Sequence, residues 1–152
     1  MVPWSRLRAL RAADRRLLAE AGLLLVAARV GLWILPFPVL RRALDGRDPA
    51  GREPDLAFPE RVAWAVRVLA RRLPGMTCLV QSLAAHALLR RRGHRPALHI
   101  GVREGGPEAA SLDAHAWVEC EGRVVAGEID RLADYQVLAP AGSRTSSAPG
   151  PS

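Results

Sequence analysis

The chain has 152 residues, 49% of them hydrophobic, which fits one globular domain and excludes an intrinsically disordered protein. The net charge is +7, and the 22 basic residues behind it are all arginines, because the sequence contains no lysine. The arginines are scattered and no basic run alternates with aromatic residues, which argues against a nucleic-acid-binding protein. Two cysteines, Cys78 and Cys120, are too few for a disulfide framework or a four-ligand zinc site, so we expect a reducing, cytoplasmic location.

The first half of the chain has the pattern of a helical region. An apolar helix is predicted over residues 17–34, followed by a short helix over 39–44, and apolar residues recur at helical spacing over 60–73. The wider segment 17–40 contains charged residues, and its longest uncharged run is too short to span a bilayer. We therefore favour a buried helix here. A helix that lies on a membrane or on a partner surface is the alternative.

The segment around Cys78 has the clearest local signals. The hydroxyl of Thr77 suits the N-cap of a helix, and an apolar stripe follows it. Arginines at positions 90–92 lie where cations favour the helix dipole, and Gly93 is a suitable C-cap. These signals predict a helix over residues 78–92, with Cys78 in its first turn.

Strand patterns occupy the second half. Strands are predicted over residues 98–102, 114–120, 123–129 and 135–138, with a two-residue hairpin turn at Glu121-Gly122. Helices followed by an antiparallel sheet predict an α+β fold. We expect a single domain over 1–138, with a helical half at 17–73 and a second half at 74–138 that combines the Cys78 helix with the antiparallel sheet. Residues 139–152 are small, polar and rich in proline, which is typical of a disordered tail.

Cys78 and His115 are the candidate catalytic residues. The first turn of a helix offers unpaired N–H groups and a positive dipole, both of which favour a thiolate, the nucleophilic form of cysteine. A small buried cysteine with a structural role is the alternative. His115 lies on the first strand of the predicted hairpin, where it could serve as the base for Cys78.

A carboxylate beside His115 would complete the site by holding the imidazole in the right tautomer. A two-residue turn at 121–122, counted back along both strands, pairs His115 with Glu128 and leaves Asp130 as a diagonal neighbour on the same face. A register slip of one residue would remove both carboxylates from that face. The acid is therefore open between Glu128 and Asp130, with Asp113 as a third choice.

Other polar residues have weaker signals. Gln81 lies one helical turn beyond Cys78 and could bind a substrate carbonyl, and the backbone N–H of Cys78 could stabilise an oxyanion. Trp117 shares a strand face with His115, either as core packing or as a wall of the site. The remaining candidates are interpreted as surface or structural residues: His86, His94, His99 and Cys120.

Several motifs resemble one known family, the transglutaminase-like B protein of lasso-peptide biosynthesis. Residues 74–84, Pro-Gly-Met-Thr-Cys-Leu-Val-Gln-Ser-Leu-Ala, resemble its nucleophile segment. Residues 114–119, Ala-His-Ala-Trp-Val-Glu, resemble its histidine strand, and the Leu-Pro-Phe-Pro of 35–38 matches its helical half. The resemblance covers about residues 17–138.

This resemblance implies a transglutaminase-like (papain-like) cysteine protease core. It implies a leader peptidase that uses Cys78 as nucleophile and His115 as general base and acid, and this chemistry needs no metal or organic cofactor. The substrate would be a ribosomally made peptide precursor, whose ring a separate cyclase closes. Since the extra domain of fused family members is missing, a separate leader-binding protein is also implied. A transglutaminase-type amidase or acyl transferase and a non-catalytic binding module are the alternative functions.

Overall fold

The computed structural model describes residues 11–45, 54–104, 112–127 and 132–138. Four helices come first: α1 (Ala12–Ile34), α2 (Phe37–Asp45), α3 (Phe58–Ala70) and α4 (Cys78–Arg91). Four strands follow: β1 (Ala97–Glu104), β2 (Leu112–Cys120), β3 (Arg123–Ala126) and β4 (Gln136–Leu138), the last preceded by a 3-10 helix at Leu132–Asp134. They form one antiparallel sheet in the order β3-β2-β1-β4. The predicted α+β fold is confirmed, while the predicted tail at 139–152 lies outside the described residues.

Helix α4 lies at the centre of the molecule and contacts the other three helices and the sheet. It is buried almost all round, as expected of a helix that is hydrophobic on every side. Its N-cap is the predicted one, because the hydroxyl of Thr77 accepts a hydrogen bond from the Val80 N–H at 3.4 Å. At its C-terminus, Gly93 has φ +86° and the His94 N–H donates to the Leu89 carbonyl, a Schellman motif that satisfies a free carbonyl.

Helix α1 buries one face and exposes the other. By length and composition it could cross a membrane. In this fold, however, its buried face packs against α3 and α4, with Leu17 and Leu25 almost fully enclosed. The opposite face carries an apolar stripe, which we define as Leu23, Val26, Val30 and Trp33; each is exposed, Leu23 by 70% and Trp33 by 78%. The predicted buried helix is thus confirmed for one face only.

The hairpin between β2 and β3 contains the predicted two-residue turn but not the predicted register. Glu121 and Gly122 have φ values of 53° and 74°, as a type I′ turn requires. A bulge follows, because Glu119 pairs with Val124 while Val118 pairs with Ala126.

The bulge shifts the register by one residue before it reaches His115. The unbroken ladder from which the pairing of His115 with Glu128 was predicted is therefore wrong, while the choice of the acid stays a prediction. Strand β3 also ends at Ala126 rather than at position 129, since Gly127 leaves the strand with φ +79°. Glu128 and Asp130 themselves lie outside the described residues.

Candidate active site

Cys78 and His115 line the same cavity, which has a volume of about 310 Å³. Helix α3 supplies one wall, the start of α4 a second, and the hairpin the rest. The lining residues that the structure describes are Ala63, Val66, Arg67, Cys78, Gln81, His115, Val125, Ala126 and Gly127. The structure therefore brings together the two residues that the sequence singled out as nucleophile and base.

Cys78 is the first residue of α4, is half-buried and has a free thiol. Its backbone N–H has no carbonyl partner within the helix, since the first four N–H groups of any α-helix lack one. Such a group can donate to the negatively charged oxygen of a tetrahedral intermediate. The same turn thus offers a nucleophile and an oxyanion donor.

A buried hydrogen bond joins the cysteine helix to the histidine strand. The hydroxyl of Ser82, one turn after Cys78, donates to the backbone carbonyl of Ala116 at 3.0 Å. Ser82 is fully buried and Ala116 immediately follows His115. This bond ties the first turns of the helix that begins with Cys78 to the strand that carries His115. Sequence reasoning missed Ser82; the available signal was a hydroxyl among the apolar residues of a buried helix.

The imidazole of His115 is held by a backbone carbonyl. Its Nε2 lies 2.7 Å from the carbonyl oxygen of Gly127. Because a carbonyl oxygen can only accept, Nε2 must carry a hydrogen, and Nδ1 is the nitrogen left to exchange a proton with Cys78. The ring also stacks on Trp117 and tilts against Tyr135, with centroid distances of 6.3 and 5.6 Å. Trp117 is a buried residue that supports the His115 ring and is not among the described residues that line the cavity.

Gly127 can take this position only because it has no side chain. Its φ of +79° lies in the left-handed region that favours glycine. A Cβ built on it would overlap the carbonyl oxygen of Ala116 and lie 2.8 Å from the Cα of Trp117. Sequence reasoning missed Gly127 as well, although a glycine directly after an apolar strand often marks a close approach of two backbones.

Asp113, the third candidate acid, is engaged elsewhere. Its Oδ2 accepts hydrogen bonds from the Tyr135 hydroxyl at 2.7 Å and from the Arg103 Nε at 2.9 Å. These two bonds hold the pKa of Asp113 below its usual value. The carboxylate therefore supports the ring of Tyr135, which packs on His115, and its described hydrogen bonds do not include the imidazole.

Gln81 lines the cavity but already has one partner. Its Nε2 donates to the Met76 carbonyl at 2.8 Å, which braces the loop that leads into Cys78. An amide nitrogen carries two hydrogens, so one remains for a substrate carbonyl. The predicted role of Gln81 in substrate binding stays a prediction.

The residues interpreted as structural lie away from this cavity. Cys120 is buried, and burial raises the pKa of its thiol. His99 stacks on Trp117 with centroids 5.3 Å apart, and His86 is buried in α4. His94 forms a 3.0 Å contact with the Glu121 carboxylate through Nδ1.

One group of side chains has the residue types of a metal site. Ligand atoms of His94, Cys120 and Glu121 lie within 4.8 Å of one another. Metals bind the thiolate, whereas burial and the charge of Glu121 both raise the pKa of the Cys120 thiol. His94 Nδ1 is also already bonded to Glu121. The contact of His94 with the hairpin turn accounts for the arrangement without a metal.

Comparison with known proteins agrees with this architecture. A family model described as the transglutaminase-like superfamily matches residues 22–140, which is most of the chain. Neither the curated proteins nor the solved structures give a match. The family match covers the first turn of α4 with Cys78, the strand with His115 and most of α1. It agrees with the core expected from the resemblance, and the chain belongs to the transglutaminase-like superfamily.

Proposed function

We propose that this protein is a cysteine peptidase that removes the leader from a ribosomally made lasso-peptide precursor. The supporting observation is the shared cavity, where Cys78 begins a helix and Nε2 of His115 is held by a backbone carbonyl. Membership of the superfamily supports acyl-transfer chemistry in general. The leader-peptidase role rests on the resemblance of the residues around Cys78 and His115.

The proposed reaction passes through a thioester. The Cys78 thiol gives its proton to Nδ1 of His115, and the thiolate attacks the carbonyl at the leader–core junction. The C–N bond of the resulting tetrahedral intermediate breaks, and the amine of the core peptide departs with the proton from His115. Water then attacks the thioester while His115 takes its proton, and the leader leaves with a new C-terminal carboxylate. Cys78 and His115 return to their starting states.

Heavy-oxygen water distinguishes hydrolysis from transfer to an amine. We expect the released leader to gain one heavy oxygen atom from the solvent at its new C-terminus, because water is the final acceptor. The measurement is mass spectrometry of both fragments of a full precursor. A product in which an amine has replaced the departing group, or release of ammonia from a glutamine with the chain intact, would instead assign a transglutaminase-type amidase or acyl transferase.

We further propose that a separate leader-binding protein delivers the precursor. A cavity of about 310 Å³ encloses only a few side chains, so most of the leader must lie outside it. The apolar stripe on α1 is the surface for this partner, since its members recur every three or four residues, the spacing that a partner helix requires. A cyclase would act on the released core, and the pathway would be cytoplasmic.

The partner should raise cleavage at low substrate concentration, because tethering raises the effective concentration of the scissile bond at Cys78. We expect Trp33→Glu to lose this stimulation and keep the basal rate, since the side chain is 78% exposed. Rates are compared with and without the candidate partner, well below saturation. Gln136→Glu, an exposed change on β4, is the control. Equal rates with and without the partner would contradict the proposal, and stimulation by anionic vesicles alone would assign the stripe to a membrane surface.

A further inference from the structure

Arg67 gives the candidate active-site cavity a fixed positive charge. It lies in the last turn of α3 and lines the cavity with Cys78 and His115. Of the nine lining residues that the structure describes, it alone has a side chain that stays charged at any physiological pH. Most of the others are small or apolar, and the Arg67 side chain is itself exposed, so an anion can reach its guanidinium from the solvent.

The guanidinium of Arg67 is also unpaired within the described part of the chain. Other arginines there bind carboxylates: Arg61 binds Asp14, Arg92 binds Glu20, and Arg103 binds Asp113. Arg67 has no such ion pair or side-chain hydrogen bond among the described residues. The five N–H donors of an arginine match a carboxylate in a bidentate arrangement. Because it lines the same cavity as the candidate nucleophile, this unpaired guanidinium is available to bind a carboxylate of the substrate.

We propose that Arg67 selects substrates with a carboxylate close to the carbonyl that Cys78 attacks. This inference rests on the proposed function only in taking the cavity as the substrate site. The carboxylate is either an acidic side chain near the scissile bond or the free C-terminus of a short peptide. In both cases the guanidinium binds the anion at the cavity mouth and sets the distance to Cys78. Arg67 is thus a specificity-determining residue rather than a participant in bond breaking.

Alkylation of Cys78 tests the charge without requiring peptidase activity. Iodoacetate and iodoacetamide deliver nearly the same group to a thiolate, but only iodoacetate carries a carboxylate. Both rates are measured by mass spectrometry in a Cys120→Ala background. We expect Arg67→Gln to lower the ratio of the iodoacetate rate to the iodoacetamide rate by about fivefold, the size of the interaction between two charges about 4 Å apart in water. Any change in the thiolate fraction affects both reagents equally and cancels in the ratio.

Arg71→Gln is the matched control, because Arg71 is exposed at the end of the same helix and does not line the cavity. It should leave the ratio unchanged. Glu128→Gln tests whether the charge of Glu128, which follows Gly127 in the chain, sets the ratio of the two alkylation rates in place of Arg67. An unchanged ratio in Arg67→Gln, with the thermal midpoint preserved, would overturn the proposal even if the protein proves to be a peptidase.

Peptide pairs identify the source of the carboxylate. One pair places glutamate or glutamine beside the scissile bond, and the other ends in a free acid or an amide. If the carboxylate is a side chain, the wild type prefers the glutamate peptide and Arg67→Gln loses that preference. If the carboxylate is the C-terminus, the wild type prefers the free acid over the amide and Arg67→Gln loses that preference. No preference in either pair, in a wild-type enzyme that cleaves all four peptides, would also overturn the proposal. If the protein cleaves no peptide but its alkylation ratio still depends on Arg67, the proposed peptidase function is wrong and the proposed anion site is supported.

Discussion

Replacing Cys78 with alanine should leave a folded protein that no longer cleaves its precursor. The thiol is half-buried, and alanine suits the first turn of a helix whose N-cap, Thr77, is unchanged. Without the thiolate no thioester forms, and we expect cleavage to fall by about 10⁴-fold or more, as when a hydrolase loses its nucleophile. The measurement is the single-turnover rate on a full precursor, with thermal unfolding to check the fold.

Cys120→Ala is the matched control for this loss. Cys120 is 3% exposed on the core side of the sheet, and burial raises the pKa of its thiol, so it should make no catalytic contribution. The substitution should lower the thermal midpoint through the lost packing and leave turnover unchanged. If Cys78→Ala retains activity within about tenfold of wild type, the thioester route is excluded, because a removed nucleophile costs far more.

Local sequence signals predicted the parts of the site that depend on residues close together in the chain. Thr77 and Gly93 mark the two ends of α4, which puts Cys78 on a helix start. Glu121-Gly122 fixes the turn, which puts His115 on the strand before it. Each signal works because a cap or a turn is satisfied by atoms only a few residues away.

The group that orients His115 could not be predicted in this way. A turn sets the register only until an extra residue enters one strand, and nothing in the run Val124-Val125-Ala126 distinguishes a bulged strand from a regular one. The bond from Ser82 to Ala116 joins residues 34 positions apart, so it depends on how the helix packs on the sheet. Long-range packing, rather than local propensity, thus places the two catalytic candidates at one cavity.

Gly127→Ala should separate the positioning of His115 from the chemistry of Cys78. A side chain at φ +79° is strained, and its Cβ would overlap the Ala116 carbonyl and press on the backbone of Trp117, which cannot move aside. The segment must shift, and its carbonyl then leaves Nε2 of His115. A shift of about 1 Å is enough to lower kcat about 10²-fold. We expect this loss together with a lower thermal midpoint, measured below the temperature at which the variant unfolds.

Gly122→Ala carries the same backbone strain without the close contact. Gly122 has φ +74° at the tip of the hairpin, and a Cβ there would meet no atom within 4 Å. This variant should lose stability and keep its turnover, so a kcat loss confined to Gly127→Ala would mark the Gly127 carbonyl as the group that positions His115.

Glu128→Gln and Asp130→Asn test the two carboxylates, and the turnover of both variants should then stay within about tenfold of wild type. A loss near 10⁴-fold in either one, the scale seen when an acid that fixes a histidine tautomer is removed, would transfer the orienting role from Gly127 to that carboxylate.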